Sequence, residues 1–291
     1  MRIICCIAKS LALLWTVWLV VLPAQADELI ARQDVSWAPH LYCQGTSGIV
    51  EVGPGGTMRL LIPDVWSQSL EVLKDELYAG DYVVRVYSLN GDLRRAISLP
   101  AQVKGLYEVL PDGRLVFLDN QDDQIYVINQ SSTVLATKSM GHAPDGSYQN
   151  CSGVVVGDFL YISEDGLSNV LRMNLTSYDV SVFRNLDVIP SWLGSIGYAQ
   201  DEFYICTSSK IYRFTETAGP TEVTDIGDNN ITGFEIVWPY AYLCTNFGGN
   251  IHRVDLRFGT SLLYASGFDR PDDLGLHLPR AAFATHWSLY K

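Results

Sequence analysis

The chain is poor in positive charge, with 20 Lys and Arg against 32 Asp and Glu. No basic stripe offsets the deficit. Phosphate backbones and anionic membrane surfaces are therefore excluded as partners, since both need clustered Lys and Arg. Catalytic signatures are missing too. The sequence has no Gly-x-Ser-x-Gly, no His-Glu-x-x-His, no Cys-x-x-Cys, no phosphate-binding loop and no dinucleotide fingerprint, so no nucleotide or flavin is expected. After the first 26 residues no apolar run is long enough to span a bilayer. Helical periodicity is absent as well. Apolar residues alternate, as in Val84-Arg85-Val86, and Gly, Asn, Asp and Pro recur every few residues.

The N-terminus has the composition of a secretory signal. Arg2 and Lys9 supply charge, Leu11 to Leu22 is apolar, and Ala24-Gln25-Ala26 is a small-x-small cleavage site before Asp27. This divides the chain into a signal at 1–26 and a single domain at 27–291, with a secreted or periplasmic destination. Cleavage leaves 18 basic against 32 acidic residues, a soluble chain without a membrane segment, expected to be a monomer. It also leaves Cys43, Cys151, Cys206 and Cys244. Four sequons, at Asn129, Asn150, Asn174 and Asn230, would be glycan acceptors in a eukaryotic host.

A unit of about 40 residues repeats along the chain. Its clearest copies are Phe203-Tyr204-Ile205-Cys206 leading to Ile211-Tyr212-Arg213, and Ala241-Tyr242-Leu243-Cys244 leading to Ile251-His252-Arg253. One aromatic marks each unit: Tyr42, Tyr78, Phe117, Tyr161, Tyr204, Tyr242 and Phe283, spaced 36, 39, 44, 43, 38 and 41 residues apart. Short strands at this period specify a β-propeller. The units parse into four strands, A to D, and the A strands Gly153–Gly157, Gly194–Ala199 and Gly233–Trp238 are small and apolar, as the crowded centre requires. Seven aromatics predict seven four-stranded antiparallel blades, with Glu28–Arg32 joining Ser288–Lys291 to complete the blade that holds Asp273–Leu278. The alternative is six blades, in which the first and last units merge and the strands around Tyr42 and Phe283 compete for one place.

The unit resembles the NHL-repeat and SMP-30/strictosidine-synthase-like propellers, where apolar-Tyr-apolar, a polar turn and Ile-x-Arg recur around a ring. The resemblance implies a metal held at the channel mouth by carboxylate and amide groups, serving lactone or ester hydrolysis, or a condensing or cyclising site without hydrolysis. Gln149-Asn150-Cys151-Ser152-Gly153 is similar to that family's Pro-Asn-Gly segment, and Pro271-Asp272-Asp273-Leu274 to its Pro-Asp-Gly segment. The family's early Glu-Gly-Pro is absent.

The D–A connections and B–C turns of a propeller share one face, the default ligand site. In this chain they carry Asp34, Asp119, Asn150, Glu164, Asn230, Asn246, Asp272, Asp273 and His286. Oxygen ligands suit Ca²⁺, and Asn150, Asn230 and Asp272 are the candidate metal set. The same residue types are also what tight turns use. The expected function is binding of a small molecule, glycan or protein at this mouth, with hydrolysis or condensation as the catalytic alternative.

Overall fold

The computed structural model describes residues 39–67, 69–80, 83–99, 106–119, 124–140, 151–164, 169–187, 189 and 193–278. They form six four-stranded antiparallel sheets. Blade 1 is assembled from both ends of the described chain. Strand β24 (Asp273–His277) is innermost, followed outward by β1 (His40–Gly45), β2 (Gly48–Val52) and β3 (Met58–Pro63). Blade 2 contains β4 (Ser69–Leu73), β5 (Glu76–Gly80), β6 (Val83–Ser88) and β7 (Leu93–Ser98). Blade 3 contains β8 (Leu106–Val109), β9 (Leu115–Asp119), β10 (Gln124–Ile128) and β11 (Val134–Ser139). Blade 4 contains β12 (Cys151–Val156), β13 (Phe159–Glu164), β14 (Asn169–Asn174) and β15 (Val180–Asn185). Blade 5 contains β16 (Ile196–Ala199), β17 (Glu202–Cys206), β18 (Lys210–Phe214) and β19 (Thr221–Asp225). Blade 6 contains β20 (Ile231–Val237), β21 (Tyr240–Thr245), β22 (Asn250–Asp255) and β23 (Thr260–Ser266). The innermost strands touch in sequence around a closed ring.

The ring therefore has six blades, not seven, and the alternative count holds. The physical reason is the pairing of β24 with β1, in register from His40↔His277 to Gln44↔Asp273. Asp273–His277 takes the Tyr42 strand as its neighbour, so the first and last units are one blade. The expected pairing of Glu28–Arg32 with Ser288–Lys291 and the strand around Phe283 lie outside the described residues.

The repeat has a packing explanation. Its aromatic sits on the second strand of each blade, where Tyr42, Tyr78, Phe117, Tyr204 and Tyr242 are almost fully buried between adjacent sheets. The Arg of Ile-x-Arg lies directly across the strand pair, at Tyr161↔Arg172, Tyr204↔Arg213 and Tyr242↔Arg253. Cross-strand neighbours at this spacing interact. Arg172 stacks over Phe159 at 4.8 Å and Arg253 over Tyr240 at 4.6 Å. Blade 2 moves the cation one strand outward. There Arg95 on β7 stacks over Tyr78 and forks onto Glu76 at 2.7 and 2.8 Å. That fork, the strongest influence on Glu76, holds its carboxyl down at about 2.

Small residues on the innermost strands let the blades meet at the centre. A Cβ on Gly233 would stand 2.5 Å from the backbone nitrogen of Leu274, and one on Gly275 would stand 3.2 Å from the carbonyl oxygen of Leu70. Both contacts are with backbone, which cannot rotate away. Substituting Gly233→Ala should overpack the blade 6–blade 1 seam and destabilise the domain by about 1–3 kcal/mol, measured as a lower denaturant midpoint. An unchanged midpoint would show that the seam is looser than described.

Cys43, Cys206 and Cys244 are free thiols with no solvent exposure. They occupy the second strands of blades 1, 5 and 6, and Cys43 and Cys244 pack into one core cluster across the closing seam. Burial pushes the Cys43 and Cys206 thiols well above the ordinary range, so these are core groups rather than nucleophiles. A thiol reagent should leave all three unmodified in the native protein and titrate them after denaturation without reductant. Loss of those thiols in the denatured, unreduced sample would contradict this packing.

Candidate functional site

All six innermost strands run in the same direction, so their starts define one mouth. The D–A connections there are tied to the B–C turns by backbone hydrogen bonds. Asp272 N–H donates to the Gln44 carbonyl at 2.8 Å, Thr46 N–H to the Asp269 carbonyl at 3.0 Å, and Asn246 N–H to the Asn230 carbonyl at 2.9 Å. A second set of bonds steps from blade to blade. The Ile196 N–H donates to Ser152 Oγ (3.3 Å), Ser195 Oγ to the Thr232 carbonyl (3.2 Å), and Thr232 Oγ1 to the Pro271 carbonyl (2.9 Å). Asp273 Oδ2 accepts from the Leu70 N–H (2.8 Å), joining blade 1 to blade 2, and its Oδ1 accepts from the Leu274 N–H (2.8 Å).

Three of the sequence candidates meet here. Asn246 Nδ2 donates to Asp272 Oδ1 at 2.7 Å while its backbone N–H holds Asn230. Asn230 has φ +66, a left-handed conformation that Asn tolerates, so its position in the turn accounts for its identity. Asp272 is raised by burial, against the lowering influence of Arg270 and Asn246. Asp273 stands directly after it on β24. Its carboxyl is pushed up to about 7 by burial, with both oxygens committed to backbone donors. Asp119 and Glu164 are the last residues of β9 and β13, which places them at the mouth end of their strands. Asp34, Asn150 and His286 lie outside the described residues, so Asn230 and Asp272 are brought to one opening without the third member of the expected metal set. Among the described residues, no three His, Cys, Asp or Glu side chains stand close enough to share a metal ion.

Sequence reasoning missed the acids inside the channel. The six innermost strands carry Glu71, Glu108, Glu235 and Asp273 and not one Lys or Arg. Glu71 and Glu235 occupy the same register position, opposite Tyr78 and Tyr242 on the second strands of their blades. Burial, followed by the repulsion of Glu108, Glu235 and Asp273, drives Glu71 well above the carboxylate range. Glu235 is raised in the same way, by burial and then by Glu108 and Asp273. Glu108 is pushed up to about 8 by burial. The signal was present in the sequence as a Glu one strand inward of the repeat's aromatic.

Asp228 was missed as well. Its Oδ2 accepts from Thr245 Oγ1 (2.8 Å) and Asn250 Nδ2 (2.8 Å) and meets His252 Nε2 at 3.2 Å. Burial raises it, but these hydrogen bonds outweigh burial and leave it below the ordinary range. It packs against Gly248, where a Cβ would stand 2.3 Å from Oδ2. Asp228 thus braces the β21–β22 turn of blade 6.

No family model matches the chain, and no curated protein matches it either. Solved structures do. A chain in the nidogen/laminin complex superposes with a TM-score of 0.66 at 10% identity, covering 82% of this chain and 98% of that one. A Bacteroides caccae protein of unknown function gives 0.64 at 12% identity over 82% of this chain and 98% of its own. Streptogramin B lyase gives 0.58 at 17% identity over 80% and 87%. At these identities the likeness shows the fold alone: the chain is a six-bladed β-propeller built of four-stranded antiparallel sheets.

The channel acids set a direction of pH dependence. A carboxyl whose folded pKa is raised favours folding below its unfolded value near 4.5 and loses that contribution as pH climbs through the folded value. With Glu108 near 8, Asp273 near 7, and Glu71 and Glu235 raised, stability should fall as pH rises from about 4.5 through 8. Thermal midpoints across that window should decline in the wild type and decline less steeply in an E71Q/E108Q/E235Q variant, which keeps only Asp273 of the four acids. A wild-type midpoint that rises with pH would contradict the arrangement.

Proposed function

We propose that this protein is an exported binding propeller that receives a positively charged ligand at the mouth and into the channel. One observation carries the reading: every formal charge on the innermost strands is negative, and Glu71 and Glu235 have neither an ion-pair nor a hydrogen-bond partner among the described residues. A charged group in a partly dry site needs a countercharge, and the ligand supplies it. The acids do not converge to a single coordination sphere. An ammonium or guanidinium group, or a cation such as Ca²⁺ keeping part of its water, fits them better than a bare ion in a tight cage. Asp272, Asn246 and Asn230 form the polar rim through which such a ligand enters. The signal-like N-terminus supports the exported destination, and the acidic chain supports the absence of nucleic-acid partners.

The catalytic alternative, an SMP-30-like lactonase or esterase or a strictosidine-synthase-like condensing enzyme, has the fold shared with streptogramin B lyase in its favour. Its hydrolytic form needs a tightly held divalent ion. Calorimetric titration at pH 8 with agmatine and, separately, with CaCl₂ tests both readings. Agmatine should bind, should bind at least tenfold more weakly at pH 5.5, where the acids are protonated, and should fail to bind the E71Q/E108Q/E235Q variant. Absence of agmatine and calcium binding at millimolar concentration, or binding that survives the triple substitution, would defeat the reading. Tight calcium binding with no agmatine binding would favour the enzyme.

A further inference from the structure

The seam between blades 6 and 1 holds a second feature, outside the channel. A groove of about 210 Å³ runs between these blades on their mouth-side flank. Val50, Met58, Leu60 and Phe268 provide its apolar walls, and Gly45 and Gly267 leave it open where side chains would fill it. Met58 and Leu60 stand 47% and 52% exposed on β3. Asp269 closes one end. Its Oδ2 accepts the Thr46 hydroxyl, and its other oxygen has no partner among the described residues. The turn carrying Phe247, which is 75% exposed, adjoins the groove, because the Gly267 and Phe268 N–H groups donate to the Gly249 carbonyl at 3.0 and 3.1 Å.

The geometry points to a docking groove for a segment of another polypeptide that presents an apolar side chain beside a Lys or Arg. The apolar side chain fills the space between Val50, Leu60 and Phe268, and the cation meets Asp269. Two arguments select this occupant. A small molecule would remain half wet between walls as exposed as Met58 and Leu60, whereas ligand sites bury most of a small ligand's surface. A macromolecule covering the rim dries such a groove, and side chains anchored in desolvated pockets carry most of the binding energy of such contacts. The charge is complementary: the groove contains one carboxylate and no cation, and the chain has a formal charge of −12.

The probe is a fluorescein-labelled peptide, Gly-Leu-Lys-Leu-Arg-Gly, with Gly-Leu-Glu-Leu-Glu-Gly as its control, read by polarisation against the full mature chain. The basic peptide should bind and the acidic one should not. Leu60→Ser and Asp269→Asn should each weaken binding at least threefold with thermal midpoints unchanged, since both side chains are surface groups. The E71Q/E108Q/E235Q variant should bind as the wild type does, which separates this groove from the channel reading. No binding of the basic peptide, or binding indifferent to both groove substitutions, would overturn the proposal. Displacement of the peptide by hexylamine at equal concentration would assign the groove to a small amphiphile. A concentration-dependent dimer abolished by Leu60→Ser would assign it to a second copy. Either result would overturn it as well.

Discussion

The pairing of β24 with β1 is the constraint on which the rest of the molecule depends. An open arc of sheets would expose two unpaired innermost faces and a row of free backbone groups at each end. Here the last described strand enters blade 1 as its innermost member and pairs with residues 40–44 through five register positions from His40↔His277 to Gln44↔Asp273. The bond from Leu70 N–H to Asp273 then fastens the closed blade to its other neighbour. Closure thus comes from residues more than two hundred positions apart, and the core clusters on both sides of blade 1 rest on it. Leu274 and Cys43 pack with Tyr242 and Cys244, while Tyr42 packs with Leu70 and Leu77.

Closure also creates the chemistry. Six innermost strands around one axis approach one another so closely at Gly233 and Gly275 that an added Cβ would meet backbone. Four acids are nonetheless held on these strands, Glu71, Glu108, Glu235 and Asp273. A ring assembled this tightly cannot relax its walls to separate them, so Glu71, Glu108 and Glu235 act on one another and resist ionisation. The hydroxyl and carboxylate bonds at the mouth hold the strand starts in place. Those groups are engaged, whereas Glu71 and Glu235 below have no hydrogen-bond partner among the described residues, and this difference separates scaffold from candidate ligand contact.

The sequence showed the strand pattern, the period and the mouth. It showed them because each rests on local chemistry: alternation along a strand, Gly and Asn in turns, one aromatic per unit. The expected A strands Gly153–Gly157, Gly194–Ala199 and Gly233–Trp238 fall on β12, β16 and β20 within two residues. Blade number was a different kind of question. Seven aromatics suggested seven blades, and only the non-local pairing of Tyr42's strand with Asp273–His277 decides for six. The candidate site divided along the same line. Asn230, Asn246 and Asp272 are joined through turn hydrogen bonds that their local sequence favours. Glu71 and Glu235 escaped notice because each is one acid in a mostly apolar strand, and their significance appears only when blades 2, 3 and 6 close around one axis.

The central claim is that the two ends of the described chain are locked into one sheet. Amide hydrogen exchange measures this directly. Amides of Tyr42 on β1 and of Gly275 and His277 on β24, which lie in the closing ladder, should exchange only through global unfolding, with the same protection as those of Ile162 and Leu171 in blade 4. Exchange of the β1 and β24 amides through a separate opening of lower free energy, while blade 4 stays protected, would contradict the account.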